Sequence, residues 1–211
     1  MKIEYKNINE ALNFYNITDE EYKNKCYQCI ENINKNNEIL NKFNDIYKLL
    51  YEDKTDEYRK LWKIKNPKGL FGQDCPIFST NILLLLGYRC HIKNIEKITF
   101  DNEQITIQKQ RVKECLENDI IYKNYDEIRI SQMLWGTYFI NNRLIEVGRL
   151  QFESINDNQV KIHIPAGEKL DIEKVTKSIE DSKLLLKKYY NVKKTKYICE
   201  SWLLSQEIAS I

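Results

Sequence analysis

The sequence predicts an α+β fold in which a helical N-terminal region is followed by a mixed sheet. Apolar residues recur at helical spacing through about the first 126 residues. Two alternating segments, 142–153 and 160–164, then read as paired strands joined by a turn rich in Asn and Asp. A polar loop, a long amphipathic helix and an apolar strand at 197–204 follow. We therefore expect two domains, a helical one at 1–126 and a sheet domain at 127–211.

Composition sets broad limits on location and partners. The net charge of +2, from 33 Lys and Arg against 31 Asp and Glu, is too small for nucleic-acid binding to be expected. The first ten residues lack the apolar stretch of a signal peptide. The longest apolar run, 82–86, is far shorter than the roughly 20 residues of a membrane span. We expect a cytoplasmic protein without a membrane partner, whose six cysteines are thiols.

The helices of the N-terminal half are predicted from their apolar stripes and caps. The segment 18–21, T-D-E-E, is typical of a helix start, and Thr55 is expected to cap a short helix. A loop is predicted at 66–76, a buried helix at 77–86, and a helix after Asp101. The segment 95–100 fits either a strand or a helix end. The predicted stripes are Tyr22, Cys26, Cys29, Ile30 and Ile33, and then Ile39, Leu40, Phe43, Ile46, Tyr47 and Leu50.

Two cysteine motifs in this half are weighed against simple packing. Cys26 and Cys29 have the spacing of half a zinc site, but a structural zinc site needs four ligands and no second pair follows. Both lie on an apolar helix stripe, which favours core packing. Cys90 and His91 are adjacent without a recognisable partner. We expect structural roles for all four and no metal cofactor.

The strands contain the most informative polar pattern. If 142–153 is one strand, Leu144, Leu150 and Phe152 share a face with Gly148, and Arg149, Gln151 and Glu153 lie on the other. Pairing with the apolar residues of 160–164 then places His163 on that second face. The face is either a hydrated surface, which alternation alone favours, or the lining of a cleft. In a cleft, Glu153 and His163 are candidate catalytic bases for an amine, and Arg149 and Gln151 are candidate substrate contacts.

The loop after the second strand is the candidate anion site. It consists of Pro165, Ala166, Gly167, Glu168, Lys169 and Leu170. Asp171 is predicted to cap the following helix. Backbone amides at a helix start, with Lys169, could hold a phosphate, whereas Glu168, Asp171 and Glu173 place negative charge there. A plain capped helix is an equally good interpretation.

The last apolar strand contributes two further candidates. Tyr197, Cys199 and Ser201 are predicted on one of its faces. Cys199 and Ser201 are candidate substrate contacts or nucleophiles, but neither has a base at a recognisable spacing. Packing is the favoured interpretation for Cys199.

Three segments together carry a family resemblance. They are R-L-I-E-V-G-R-L-Q-F-E (143–153), I-H-I-P-A-G-E-K-L-D (162–171) and C-E-S-W-L-L (199–204). In order and spacing over 128–204 they resemble a bacterial acyltransferase-domain family with a helical N-terminal domain and a GNAT-like C-terminal domain. The resemblance implies acyl-CoA or acetyl-CoA as co-substrate, its pyrophosphate on the 165–170 loop, and a small-molecule or peptide amine as acceptor. Glu153 or His163 is then the implied base.

The resemblance also predicts where this chain departs from its relatives. The GNAT sheet continues beyond the C-x-S-W-L-L strand, so we expect a sheet that is incomplete at its C-terminus and a candidate partner chain at that edge. The loop has a single glycine, Gly167, where GNAT enzymes have an R/Q-x-x-G-x-G/A pattern. The alternative function is a non-catalytic binding or assembly module that keeps the fold without a working cofactor site.

Overall fold

The computed structural model describes residues 2–52, 56–121, 128–167, 169–193 and 196–200, without the side chains of 118–121. Helices make up the described chain as far as Ile140, as the sequence predicts. None of the helices in these ranges is long and apolar enough to cross a bilayer. They are α1 (Tyr5–Phe14), α2 (Glu20–Lys35), α3 (Asn37–Tyr51), a 3₁₀ helix (Asp56–Lys63), α4 (Pro67–Phe71), α5 (Ser79–Leu86), α6 (Tyr88–Ile98), α7 (Asn102–Ile121) and α8 (Ile130–Ile140).

The predicted apolar stripes bury α2 and α3, and side-chain caps set where these helices begin. Asp19 Oδ1 accepts the Tyr22 amide of α2 at 2.7 Å, so Asp19, rather than the preceding threonine, is the N-cap. Asn36 ends α2 and caps α3 by accepting the amides of Glu38 and Ile39. Within the α2 stripe, Cys26 and Cys29 are buried, and neither forms a disulfide bond with another described cysteine.

The helix boundaries differ from prediction at two places, and at a third, segment 95–100, the structure decides between two interpretations in favour of a helix end. The predicted 66–76 loop contains α4, because Asn66 accepts the Gly69 amide at 3.0 Å and Pro67 occupies the first helical turn. The 77–86 helix starts only at Ser79, since Phe78 adopts a left-handed conformation. Segment 95–100 continues α6 as far as Ile98. The predicted cap Thr55 lies outside the described residues.

The C-terminal part forms a four-stranded mixed sheet among the described residues. Its strands lie in the order β1 (Leu144–Val147), β2 (Leu150–Asn156), β3 (Gln159–His163) and β4 (Lys196–Cys199). The first three strands pair antiparallel, and β4 pairs parallel to β3 after the crossover helix α9 (Ile172–Tyr190). An α+β fold with a helical N-terminal region and a mixed sheet is thus confirmed.

The predicted single strand 142–153 is two strands joined by a tight turn. Val147 pairs with Leu150, so Gly148 and Arg149 form a two-residue hairpin loop. Gly148 has φ +58°, which glycine adopts without steric cost and which a hairpin loop requires at its first position. The turn reverses which residues share a face. Leu144 pairs with Glu153, so the prediction that Leu144 shares the face of Leu150 and Phe152 is wrong.

Helices α9 and α7 cover the sheet in different ways. Helix α9 approaches through small side chains: Ser178 Oγ accepts the Arg149 amide at 2.8 Å, and Ser182 Oγ lies 2.8 Å from the Tyr197 hydroxyl. On α7, Gln104 and Gln108 donate side-chain amides to the outward carbonyls of Glu146 and Leu144 on β1. These bonds satisfy backbone groups that an edge strand otherwise leaves exposed.

Two compact units can be distinguished by their internal contacts. One comprises 1–94 and 109–141, and the other comprises 95–108 and 142–211. Helix α8 belongs to the first unit, and the start of α7 belongs to the second. The units are therefore not two consecutive segments, and the predicted domain boundary at 126/127 stays a prediction.

Candidate active site on the polar face of the sheet

One face of the sheet contains a group of polar side chains that we call the polar face: Glu146, Gln151, Glu153 and His163. The strand register sets this grouping, because Gln151 pairs with Glu146 on one side and with His163 on the other. Gln151 and Glu153 are only 2% and 3% exposed. The favoured interpretation of a hydrated sheet surface is therefore wrong for the centre of this face.

Glu153 lies between two nitrogen-bearing side chains. Its Oε2 is 3.0 Å from His163 Nε2, and its Oε1 is 3.3 Å from Arg143 Nη2. The Glu153 side chain is 4% exposed, that of His163 19% and that of Arg143 24%. A buried carboxylate needs such donors, because leaving it unpaired in a protein interior costs several kcal/mol. The three residues form one connected unit.

Gln151 is oriented by the neighbouring carboxylate. Its Nε2 donates to Glu146 Oε2 at 2.7 Å, and Glu146 is itself 8% exposed. A carboxylate accepts only, so the amide nitrogen of Gln151 must face Glu146. The amide oxygen of Gln151 is buried and has no hydrogen-bond partner in the described part of the chain. It is an acceptor that a bound N–H group could satisfy.

Arg149 does not lie with these residues but in the turn between β1 and β2. Its amide donates to Ser178 on α9, and its Nη1 donates to the Pro165 carbonyl at 2.8 Å. The side chain thus connects the turn to the start of the predicted anion loop. Its predicted role as a substrate contact is untested.

The predicted anion loop leads into a capped helix. Asp171 Oδ1 accepts the Lys174 amide at 3.0 Å, which is the plain N-cap that the sequence predicts. Ile172 and Glu173 begin the helix, where amides have no intrahelical acceptor. Gly167 has φ +133° with open space around it, and Ala166 and Lys169 are exposed. Glu168 lies outside the described residues. Phosphate binding by Pro165 to Leu170 stays a prediction.

The carboxyl ends of β3 and β4 lie beside this loop. Their pairing extends to Ile162 and Cys199, one residue before His163 ends β3. Ligands of α/β proteins commonly bind at the carboxyl ends of parallel strands. Burial raises the pKa of the half-buried Cys199 thiol, which disfavours the thiolate that a nucleophile needs. Ser201 lies outside the described residues.

The second histidine of the chain has a structural environment. His91 is fully buried, and its Nδ1 lies 3.1 Å from the Tyr15 hydroxyl. Burial, with a smaller effect of the Lys109 charge, lowers its pKa to about 3. The neighbouring Cys90 Sγ contacts the Asn141 and Asn94 side chains. Nothing in this arrangement resembles a nucleophile and its base.

Sequence reasoning missed two residues of the site, Arg143 and Glu146. Both stand in the segment that carries the resemblance, but no role was predicted for them. Arg143 precedes β1 and contacts Glu153 across the strand pair. Glu146 reaches the polar face because the Gly148 turn changes its side. The signal for that turn was Gly148-Arg149, a glycine followed by a polar residue, between the apolar residues Val147 and Leu150.

Comparison with protein families finds a match for the sheet-containing segment. Residues 144–211 match the model of a family described as GNAT-like C-terminal domain. No curated protein sequence gives a significant match. The matched segment contains all four strands and the crossover helix α9.

Solved structures of acyltransferases share the fold. An acyltransferase in complex with CoA and 10C-teicoplanin aligns with a TM-score of 0.63 and 13% identity, covering 87% of this chain and 60% of that one. An acyltransferase with decanoyl-CoA and teicoplanin gives 0.61 and 12%, covering 96% and 63%. A third, with decanoyl-CoA, gives 0.60 and 13%, covering 96% and 64%. This chain thus spans less than two thirds of their length.

These comparisons define the class of fold. The chain has a helical N-terminal region followed by a GNAT-like mixed sheet, as in the solved acyltransferases. The predicted resemblance to proteins that join a helical N-terminal domain to a GNAT-like C-terminal domain is therefore confirmed. At 12–13% identity the likeness establishes the fold and not the reaction.

Proposed function

We propose that this protein transfers an acyl group from acyl-CoA to an amine. The observation that carries the proposal is the contact between His163 Nε2 and Glu153 Oε2, 3.0 Å long, at the carboxyl end of β3. An imidazole beside a buried carboxylate is suited to take a proton from an attacking amine. CoA or decanoyl-CoA is present in the three solved structures of similar fold, which supports an acyl-CoA donor.

In this proposal the donor binds beside the loop between β3 and α9. The first amides of α9 and Lys169 would hold the pyrophosphate, because a helix start attracts anions. The thioester would then lie where β3 and β4 stop pairing, next to His163. Arg149 supports the loop through the Pro165 carbonyl.

The acceptor is proposed to be a small-molecule or peptide amine. The polar face offers the Gln151 amide oxygen as an acceptor for the N–H of such an amine, and Glu146 holds that amide in one orientation. One of the solved structures contains 10C-teicoplanin and another contains teicoplanin, which supports an acceptor larger than a simple amine. Positioning both substrates contributes much of the rate.

The proposal is tested by binding and turnover measured separately. Calorimetric titration with CoA and with decanoyl-CoA is expected to give saturable binding, and a thiol-release assay with a panel of amines is expected to give turnover. Lys169→Glu should weaken CoA binding, whereas His163→Gln should bind CoA normally and lose turnover. Folded protein that binds neither ligand at millimolar concentration contradicts the proposal.

A second candidate function is a non-catalytic binding or assembly module. The observation that favours it is the Asp171 cap, because its carboxylate already occupies the Lys174 amide and places negative charge at the helix start. Asp171→Asn separates the two functions. The amide keeps the cap but removes the charge, so CoA should bind more tightly if the loop is a phosphate site. If neither the unmodified protein nor the Asp171→Asn variant binds CoA, the binding or assembly module is favoured.

The module hypothesis also proposes a partner chain at the β4 edge of the sheet. An edge strand offers unpaired backbone groups to another chain. Sedimentation analysis over a range of concentrations tests this proposal. A monomer at all concentrations, with CoA bound, leaves the transferase as the better function.

A further inference from the structure

The side chains around Glu153 determine whether its carboxyl group is ionised. Arg143 Nη2 and His163 Nε2 approach different oxygens of this carboxyl group, at 3.3 and 3.0 Å. A guanidinium is always charged and only donates. The other cation in register with Glu153 is Lys161, but its Nζ lies 2.6 Å from Glu200 Oε2. Arg143 therefore supplies a permanent positive charge beside Glu153 in its buried position.

An ionised Glu153 in turn determines where the imidazole proton lies. A carboxylate oxygen can only accept a hydrogen bond. Neutral His163 must then carry its hydrogen on Nε2, the nitrogen 3.0 Å from Glu153 Oε2. The lone pair of the ring is consequently on Nδ1. Hydrogen bonding at one ring nitrogen fixes the role of the other in this way in many sites.

We propose that Arg143 is a positioning residue: it keeps Glu153 ionised, Glu153 fixes His163 with its hydrogen on Nε2, and Nδ1 is the proton-accepting atom. The catalytic roles in this inference rest on the proposed acyl transfer, but the tautomer of His163 can be measured without it. It assigns different roles to the two candidate bases. Glu153 orients the ring and stabilises the imidazolium, and His163 is the base.

The group-transfer step balances with these atoms. The amine nitrogen forms a bond to the thioester carbonyl carbon, and its proton moves to Nδ1 of His163. The C–S bond then breaks, and the electron pair leaves with the sulfur of coenzyme A. The imidazolium returns the proton from Nδ1 to that thiolate, which restores the neutral ring. The hydrogen on Nε2 stays bonded to Glu153 throughout.

The key experiment reads the tautomer directly and needs no acyl donor. Two-bond ¹H–¹⁵N spectra of the whole chain distinguish a protonated ring nitrogen from one with a lone pair, and the chain has two histidines. His91, which contacts Phe14 and Tyr15 and is distant in sequence from the substituted residues, is the internal control. Neutral His163 is expected to show its hydrogen on Nε2. A hydrogen on Nδ1 in the unmodified protein overturns the proposal.

Glu153→Gln is expected to reverse the tautomer. Arg143 can only donate, so it should take the amide oxygen of the new side chain and turn the NH₂ group toward His163. Nε2 must then accept, and the ring hydrogen moves to Nδ1. With Nδ1 protonated, turnover should fall by at least about 10²-fold. A folded variant that keeps the hydrogen on Nε2 overturns the proposal.

Two further variants isolate the part played by Arg143. In Glu153→Gln combined with Arg143→Met, the guanidinium no longer orients the amide, so the Nε2–H tautomer should reappear beside the Nδ1–H form. In Glu153→Gln combined with Arg143→Lys, the ammonium should restore the Nδ1–H form. Glu146→Gln is the matched control, because it makes the same chemical change on the same face and should leave His163 with its hydrogen on Nε2. Identical spectra for the Met and Lys variants would overturn the role of Arg143.

The outcomes separate this inference from the proposed function. Tautomers as expected with no turnover of any amine would contradict the transferase and leave the Arg143 assignment standing. Turnover with the hydrogen of His163 on Nδ1 would support the transferase and contradict the Arg143 assignment. The backbone amide ¹H–¹⁵N spectrum reports whether each variant is folded in both units, and where the Arg143→Met variant fails to fold, the Arg143→Lys variant takes its place.

Discussion

The two histidines of this chain lie in opposite chemical environments. His91 lies in the helical unit, fully buried beside Phe14 and Tyr15, and burial lowers its pKa to about 3. His163 lies at the end of β3, partly exposed and in contact with a buried carboxylate. The residue type is the same, but one ring is kept neutral by an apolar enclosure and the other is provided with a charged partner. The groups around each imidazole, and not the imidazole itself, therefore determine whether it is suited to packing or to proton transfer.

The largest expected effect follows from replacing each histidine with glutamine. His163→Gln removes the proposed base, and turnover should fall by about 10²–10⁴-fold. Since each factor of ten corresponds to about 1.4 kcal/mol of barrier, this is roughly 3–5 kcal/mol. His91→Gln should keep kcat within about a factor of two wherever the protein is folded, because it contacts no reacting group. Steady-state thiol release checks both, and equal losses in the two variants would abolish the distinction.

The second largest effect is an acid sensitivity that belongs to His91. Its folded-state pKa of about 3 lies below the ordinary value of 6.5. The unfolded chain therefore binds a proton that the folded state refuses between these values, and stability present above pH 6.5 is lost as the pH falls toward 3. The limiting slope is about 1.4 kcal/mol per pH unit.

Urea unfolding at several pH values between 7 and 4 measures this effect. Carboxyl groups titrate in the same range, so the informative quantity is the difference between the unmodified protein and His91→Gln. The unmodified protein should lose stability more steeply. Parallel pH profiles would show that His91 is not held neutral by its surroundings, and the contrast with His163 would then lose its basis.

The sequence was sufficient for the elements but not for the sheet faces. Apolar periodicity predicts α2 and α3 because a buried helix face is local in sequence, and Asp171 was predicted as a cap for the same reason. The strand 142–153 failed, since an alternating pattern continues unchanged through a two-residue turn. Because Val147 pairs with Leu150, the side chains at odd positions of β1 lie on the same face of the sheet as those at even positions of β2. Glu146 thereby joins Gln151, which alternation alone forbids.

The site was predicted in part for a related reason. Glu153 and His163 could be placed on one face from two short apolar patterns, and the register pairs their strands as expected. Burial of this face depends on contacts that are distant in sequence, so alternation could not distinguish a cleft from a hydrated surface. Arg143 lies outside the strand ladder, and its contact with Glu153 requires the folded hairpin.

The turn that brings these residues together is expected to tolerate substitution poorly. Gly148→Ala combines a left-handed φ of +58° with a new Cβ only 2.5 Å from Ser178 Oγ. We expect a loss of about 2–3 kcal/mol in unfolding free energy and weaker turnover, because Glu146 and Arg143 lose their positions. Gly167→Ala is the matched control: its φ of +133° is also strained, but nothing lies within 4 Å. Urea midpoints should rank the two, and an equal loss would exclude the contact with α9 as the cause.

A smaller effect is expected where α7 covers the edge of β1. Gln108→Leu removes the 2.7 Å bond to the Leu144 carbonyl and leaves that buried group unsatisfied. The expected loss is about 1–2 kcal/mol. Gln110→Leu is the control on the same helix, because its side chain is exposed and bonds to Glu114, and it should change stability by less than about 0.5 kcal/mol. If the two variants unfold alike, the edge does not depend on α7.

The smallest effect concerns a second acid-sensitive group, in the sheet-containing unit. A hydrogen bond from Tyr189, at 2.5 Å, and then bonds from the Gln104 amide and Lys188 lower the pKa of Asp101 to about 2. This carboxyl group stabilises the fold above its ordinary pKa of 3.8, and that contribution is lost as the pH falls from 3.8 toward 2. Solvent screens the exposed cluster, so Asp101→Asn, which keeps a capping oxygen, should cost only about 0.5 kcal/mol at pH 7. The difference from the unmodified protein should vanish near pH 2, and a difference that disappears already at pH 5 would show that the lowered pKa of Asp101 is not its cause.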